Sequence, residues 1–98
     1  MSYDSKFKNP EVDELFRAIL SLKTEEECYR FFEDVCTIKE VQAMSQRLTV
    51  AELLAQKKTY NEIEDTTKAS TATISRVNRS LAYGADGYQI VFERLGIL

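Results

Sequence analysis

Three groups of residues in this 98-residue chain could do chemistry: the carboxylates Glu62 and Asp65, the thiols Cys28 and Cys36, and the run Ser70 to Leu81, S-T-A-T-I-S-R-V-N-R-S-L. Carboxylates three apart share a helix face and could act as acid and base. They have little to work with. The chain holds no histidine, no C-x-x-C, no G-x-x-x-x-G-K-[ST] and only three glycines, so the usual metal, phosphate and nucleophile–base constellations lack their parts. A solvated helix face accounts for Glu62 and Asp65, and the expectation is no catalytic residue, no metal, no cofactor and no enzyme. Cys28 and Cys36 occupy apolar positions of a helical pattern, and eight residues along a helix is roughly 12 Å, beyond disulfide reach. Two small buried thiols are expected.

The run Ser70–Leu81 has a different character. At about 100° per residue, Ser70, Ile74, Val77 and Leu81 fall on one side of a helix, with Ala72, Ser75 and Arg79 on the other. The outward side is small and hydrogen-bonding, where a merely solvated helix favours Glu and Lys. Small residues let a helix approach another surface closely. The preceding residues narrow that surface: Ile63, Ala69, Ser70 and Thr73-Ile74-Ser75-Arg76 follow the helix-turn-helix spacing I-A-x-x-x-G-[VA]-S-x-x-T-[VI]-S-R. In that motif the three apolar positions lock two helices at a steep angle, and the first turns of the second helix enter a DNA major groove. Thr71, Ala72 and Ser75 then face base edges or methyl groups. Glu64 stands where a small residue usually allows close packing, and Lys68 where glycine usually takes φ > 0, so the turn is either looser or strained at Lys68.

Charge supports this placement. The whole chain is −3, yet residues 57–80 carry five cations (Lys57, Lys58, Lys68, Arg76, Arg79) against three acids (Glu62, Glu64, Asp65), a local balance of +2 that leaves −5 elsewhere. Only a docking face needs to release DNA counterions, so positive charge concentrated on the motif points to double-stranded DNA, bound with a steep salt dependence.

The elements that must position these residues read as helices throughout. Asn9-Pro10 with Glu11 and Asp13 starts the first, whose stripe Val12, Leu15, Phe16, Ile19, Leu20 runs to about Leu22. Thr24-x-x-Glu27, Thr37-x-x-Glu40 and Thr59-x-x-Glu62 are capping boxes for three more. The second carries Cys28, Phe31, Phe32 and Val35; the third, to about Gln56, carries Val41, Met44, Leu48, Ala51 and Leu54. The fourth is short, because the Asp65-Thr66-Thr67 side chains compete for backbone hydrogen bonds. Ser70 caps the fifth, with Gly84 expected in the left-handed region just past its end. Asp86-x-x-Gln89 caps a sixth, with Tyr88, Val91, Phe92 and Leu95 inward and Gly96 ending it. The fold class is therefore all-α: six helices in one domain over 1–98, with a helix-turn-helix at about 59–83. The opening M-S-Y-D-S-K-F-K has no apolar signal segment and no run is long enough to span a bilayer, so a cytoplasmic protein without membrane contact is expected. Five phenylalanines exceed what a thin monomer hides, which calls for a second copy.

Together the segments A-S-T-A-T-I-S-R-V-N-R-S-L, T-Y-N-E-I and C-T-I-K-E-V-Q-A-M-S-Q-R resemble the Trp repressor family, most nearly its bacterial Trp-repressor-like proteins of the YerC/YecD type. The resemblance implies an intertwined homodimer in which the first three helices and the last interlock as dimer core helices, at about 10–56 and 86–95. Two reading heads would then enter successive major grooves about 34 Å apart. It places Lys68, Ser70, Thr71, Ala72, Thr73, Ser75, Arg76 and Arg79 at DNA. For an effector pocket it matches Thr37 to a carboxylate-binding threonine, Arg47 and Arg76 to two arginines flanking an indole, and Ser80 to a serine near an amino group. Val77 replaces the glycine of the tryptophan-binding member and is expected to point into the flank between Arg76 and Ser80, where it excludes the indole. Asn61 and Glu64 replace basic residues, so the operator does not transfer. The functional expectation is a homodimeric, sequence-specific transcriptional regulator that does not respond to tryptophan, with room for another small-molecule effector. The alternative is a helical protein-interaction module that kept the fold, argued from Glu62, Glu64 and Asp65 beside the reading head.

Overall fold

The computed structural model describes residues 3–97, so the first two residues of the M-S-Y-D-S-K-F-K stretch lie outside it. Its elements are α1 (Pro10–Leu20), α2 (Glu25–Val35), α3 (Ile38–Ala55), α4 (Tyr60–Thr67), α5 (Thr71–Tyr83) and α6 (Gly87–Arg94), with no strand among the described residues. Two compact units divide the chain, Met1–Ile38 and Lys39–Leu98.

In the first unit the helix starts follow local chemistry. Asn9 Oδ1 accepts from the Val12 amide at 2.8 Å, and Pro10 opens α1. Thr24 Oγ1 accepts from the Glu27 amide at 3.1 Å, but the Glu27 carboxylate turns back to the Lys23 amide at 2.8 Å, one residue before the cap, so the expected box is displaced rather than closed. Ion pairs Lys8–Asp13, Arg17–Glu14 and Arg30–Glu26 decorate its surface, and exposed pairs of this kind contribute about 0–1 kcal/mol each. Neither α1 nor α2 contains a buried residue. The expectation of buried thiols fails accordingly: Cys28 is exposed and Cys36, at the end of α2, is half-buried.

The second unit has its own core: Val50 and Ala51 from α3, Ile63 from α4, Ala69 from the turn, Ile74 and Val77 from α5, and Phe92 from α6. Tyr88 stacks on Phe92 at 6.1 Å between ring centroids, and Leu53, Leu54, Tyr60 and Leu81 pack around the edge. The face of α3 turned to this core differs from the expected stripe. Val50 joins Ala51, whereas Met44 and Leu48 remain exposed. Likewise α6 sends Phe92 inward while Val91 and Leu95 face outward, because a helix of two turns can offer only a narrow stripe to one small core.

Four helix ends in this unit are closed in different ways. At Lys57 the chain turns left-handed (φ 67°), with Lys58 N–H bonded to Leu53 C=O and Lys57 N–H to Leu54 C=O, a Schellman end built without glycine. Gly96 (φ 76°) ends α6 by the same pair of bonds, as expected of a glycine there. Gly84 does not take the expected left-handed conformation; its φ and ψ are −87° and −153°. A Cβ at Gly84 would meet the Ser80 carbonyl oxygen at 2.4 Å, so space and not φ demands the glycine. Asp86 precedes α6 with φ 65° and makes no side-chain cap, in place of the expected Asp86 capping bond.

Candidate nucleic-acid interface

Two helices and a three-residue turn build the candidate site. Thr59 and Glu62 close a full capping box: the Thr59 hydroxyl accepts from the Glu62 amide at 3.2 Å while the Glu62 carboxylate accepts from the Thr59 amide at 2.8 Å. Five residues before Lys68, where the turn begins, Ile63 is fully buried. Thr67 ends the helix as its chemistry suggests, its hydroxyl donating to the Ile63 carbonyl at 2.7 Å and accepting from the Ala69 amide at 3.1 Å. Lys68 then adopts φ 61° and ψ 16°, the strained alternative, at a cost on the order of 1 kcal/mol for a residue with a Cβ. Ala69 follows it into the core, and Ser70 caps α5 by accepting from the Thr73 amide at 3.1 Å. Ile63, Ala69 and Ile74 thus meet inside the unit, which is the locking the motif requires.

Gln46 on α3 supports the turn from behind. Its Nε2 donates to the Thr67 carbonyl at 3.1 Å, satisfying one acceptor that the end of α4 leaves unpaired. This brace is not legible in the sequence, since a glutamine on a long helix carries no signal of which distant carbonyl it meets.

With its buried side committed to Ile74 and Val77, α5 turns Thr71, Ala72, Ser75, Arg76 and Arg79 to the surface, and Thr73 is half-buried. Lys68 and Ser70 are exposed at its entrance. Among the described residues Lys68, Arg76 and Arg79 form no ion pair, so their charge is available to an incoming anion. Thr71 is engaged already: its hydroxyl donates to Glu64 Oε2 at 2.8 Å. The sequence marks Glu64 only as a departure from the motif; its link to a reading residue seven positions on depends on the turn geometry.

The residues matched to an effector pocket go to different surroundings. Val77 is 2 % exposed and packs in the core, so it does not point into the flank between Arg76 and Ser80 as expected; its β-carbon lies on the Ile74 side of the helix. Ser80 lines a cavity of about 90 Å³ with Leu81, Asp86, Tyr88, Gln89 and Phe92. Arg47 and Arg76 are exposed, as is Thr37 in the residues that precede α3. A larger groove of about 390 Å³ lies between α3 and the end of α4, lined by Val41, Gln42, Ser45, Gln46, Thr49, Thr66 and Thr67, and includes none of the matched residues.

Comparison with known proteins decides the family, since residues 10–96 match the model of the Trp repressor protein family. The chain belongs to the Trp repressor family. It is 56 % identical over 90 residues to the uncharacterized protein YerC of Bacillus subtilis (strain 168), covering 92 % of this chain and 86 % of that protein. A TrpR-like protein from Eubacterium eligens ATCC 27750 superposes with a TM-score of 0.91 at 61 % identity, covering 95 % of this chain and 96 % of the other. A candidate Trp repressor from Staphylococcus aureus gives 0.90 at 52 % identity, covering 95 % and 93 %. The six-helix, strand-free architecture expected from the sequence is therefore that of Trp-repressor-like proteins. Among the described residues no helix is long and apolar enough to cross a membrane.

Proposed function

We propose that this Trp-repressor family chain is a homodimeric, sequence-specific DNA-binding transcriptional regulator acting in the cytoplasm. The observation that carries the reading is α5 itself. Its inner side is consumed by Ile74 and Val77, and its outer side presents Thr71, Ala72 and Ser75 at the leading turns with Arg76 and Arg79 unpaired behind them. Small residues at the front and cations at the flank suit a major groove bounded by phosphates. Phe7, Leu15, Phe16, Leu20, Met44, Leu48 and Leu95, each more than a third exposed, supply the apolar surface that a second copy would cover, and the single domain over 1–98 closes only in that dimer. Binding to random genomic DNA fragments at two salt concentrations tests the reading, with Arg79→Ala expected to weaken all sequences alike and flatten the salt slope by about one unit. No salt-dependent binding by the intact dimer would instead favour the protein-interaction module suggested by Glu62, Glu64 and Asp65.

Tryptophan is not the effector in this reading. What supports this is the separation of the matched residues: Val77 is buried in the core, Ser80 opens into a cavity with residues of α6, and Arg47 and Arg76 stand exposed on α3 and α5. A ligand that makes no differential contact cannot shift the reading heads. Since the chain has no tryptophan of its own, indole fluorescence reports the added ligand directly. DNA affinity is expected to be unchanged by tryptophan; a tenfold rise with saturable binding would overturn the point, on the scale of about 1.4 kcal/mol.

A further inference from the structure

We infer that Glu64, through its hydrogen bond with Thr71, makes the leading edge of α5 an acceptor surface that selects cytosine on the contacted DNA strand. The inference rests on the DNA-binding reading above. Its basis is the polarity of one bond. Carboxylate oxygens accept and do not donate, so in the 2.8 Å contact between Thr71 Oγ1 and Glu64 Oε2 the hydroxyl proton must lie on the threonine side and point at the glutamate. A free threonine can turn its hydroxyl to suit either a donor or an acceptor on a base. Thr71 has lost that choice, and what it can offer a base is a lone pair.

Glu64 is half-buried in the last turn of α4 and Thr71 is exposed at the start of α5, and their bond joins the two helices where α5 would lead into a groove. Both the remaining Thr71 lone pair and the second Glu64 oxygen are acceptors. Nearby Ser70 is occupied as well, accepting from the Thr73 amide and donating to Thr73 Oγ1 at 3.1 Å. Ala72, next in sequence, has no polar side-chain atom. The first two residues of the reading helix therefore bring acceptors and a methyl group, with no side-chain donor.

The four bases respond differently to such a surface. In the major groove cytosine shows its N4 amino donor, adenine shows the N6 donor beside the N7 acceptor, guanine shows two acceptors, and thymine shows an acceptor and a methyl. An acceptor pair is repelled by guanine, finds no donor on thymine, and meets adenine N7 as well as N6. Cytosine offers a donor without that neighbouring acceptor. The same carboxylate repels phosphate, so it weakens binding to arbitrary sequence while leaving the matched site its base contact. Glu64 then raises the ratio of specific to non-specific binding, which is the quantity that matters against a genome.

The test is selection of bound duplexes from a randomised library by the full-length wild type, Glu64→Ala, Glu64→Gln and Thr71→Val, with helical content and melting checked for each. Wild type is expected to select one cytosine per half-site. Glu64→Ala is expected to lose about tenfold of the preference at that position alone while gaining affinity for random DNA. Glu64→Gln can still accept from Thr71 but adds an amide donor, and is expected to spread the preference toward guanine or thymine with the fold unchanged. Thr71→Val, which keeps Glu64 and removes the hydroxyl, should blunt the same position. A merely structural role for Glu64, as an acid at the positive end of α5, would lower stability and affinity together and leave the base profile intact. A wild-type site without the cytosine, or one that Glu64→Ala reads unchanged, overturns this inference and leaves the DNA-binding reading standing. Wild type that binds no duplex with a salt slope overturns both.

Discussion

The residues up to Ile38 and those from Lys39 onward obey the same local rules and reach different ends. Both start helices with side-chain caps, and both carry apolar stripes at helical spacing. In the second unit Ile63, Ile74 and Val50 are fully buried and Phe92 is 1 % exposed; in the first, α1 and α2 bury nothing and Phe16 is half exposed. Amphipathic pattern says that a face will be covered and does not say by what. In the second unit the chain covers one face of each helix and leaves Met44 and Leu48 on α3 and Val91 and Leu95 on α6 exposed; in the N-terminal unit the whole stripe stays uncovered, and the proposed dimer is what would cover both.

The largest expected effect separates these two kinds of apolar surface. Ile74→Ala should cost about 2–5 kcal/mol at any protein concentration, because the cavity forms inside one chain. Leu48→Asp should act through association: the wild-type unfolding midpoint is expected to rise with protein concentration, and the variant to lose that dependence along with most of its helical signal. Thermal melts of both across about a hundredfold range of concentration, with sedimentation alongside, check the contrast. A wild-type midpoint that stays fixed, or a compact stable monomer, breaks it.

A second contrast concerns two glycines of the reading-head unit. Gly84→Ala places a methyl 2.4 Å from the Ser80 carbonyl oxygen, where α5 would have to shift, and should cost about 1–3 kcal/mol. Gly87→Ala meets nothing within 4 Å at the first position of α6, and should instead stabilise by about 0.4–1 kcal/mol through a less flexible unfolded chain. Urea denaturation of the two variants resolves opposite signs. Equal effects would mean that the ends of α5 and α6 are looser than their hydrogen bonds indicate.

Helix number, order and most boundaries are legible in the sequence because their causes are local. Asn9, Thr24, Thr59 and Ser70 each accept from an amide three residues on, and spacing alone reveals them. The turn is legible too, since Ile63, Ala69 and Ile74 form a pattern that only a locked helix pair explains. What escapes is whatever depends on direction in space. The helical wheel groups Val77 with Ile74 and Leu81, and the core holds it there; the placement toward the Arg76 flank follows from matching Val77 to a family position, which carries no direction in space. Gly84 suggests a left-handed end by residue type alone, whereas a carbonyl contact is the cause. The Gln46–Thr67 brace and the Glu64–Thr71 bond span 21 and 7 residues, and neither pair has a sequence signature.

The smallest expected effect tests whether the comparison extends to local chemistry. Thr24 and Thr59 make nearly the same cap, at 3.1 and 3.2 Å to the amide three residues later. Their helices differ in how they are anchored. Glu62 returns to the cap's own amide and the next residue, Ile63, holds α4 in a closed core; Glu27 returns to Lys23, and α2 has no buried side chain. Thr59→Ala should therefore cost about 1 kcal/mol whatever the concentration. Thr24→Ala removes a bond of similar strength from a helix that only the proposed dimer would bury, so its loss, about 0.5–1 kcal/mol per chain, is expected to show as weaker association rather than a less stable second unit. Hydrogen exchange of the α4 and α5 amides distinguishes the two: slowed exchange there should survive Thr24→Ala and weaken in Thr59→Ala. If both variants speed α4 exchange alike, the two units unfold together, and the division between a self-covered and a partner-covered region is one of surface only, with no energetic counterpart.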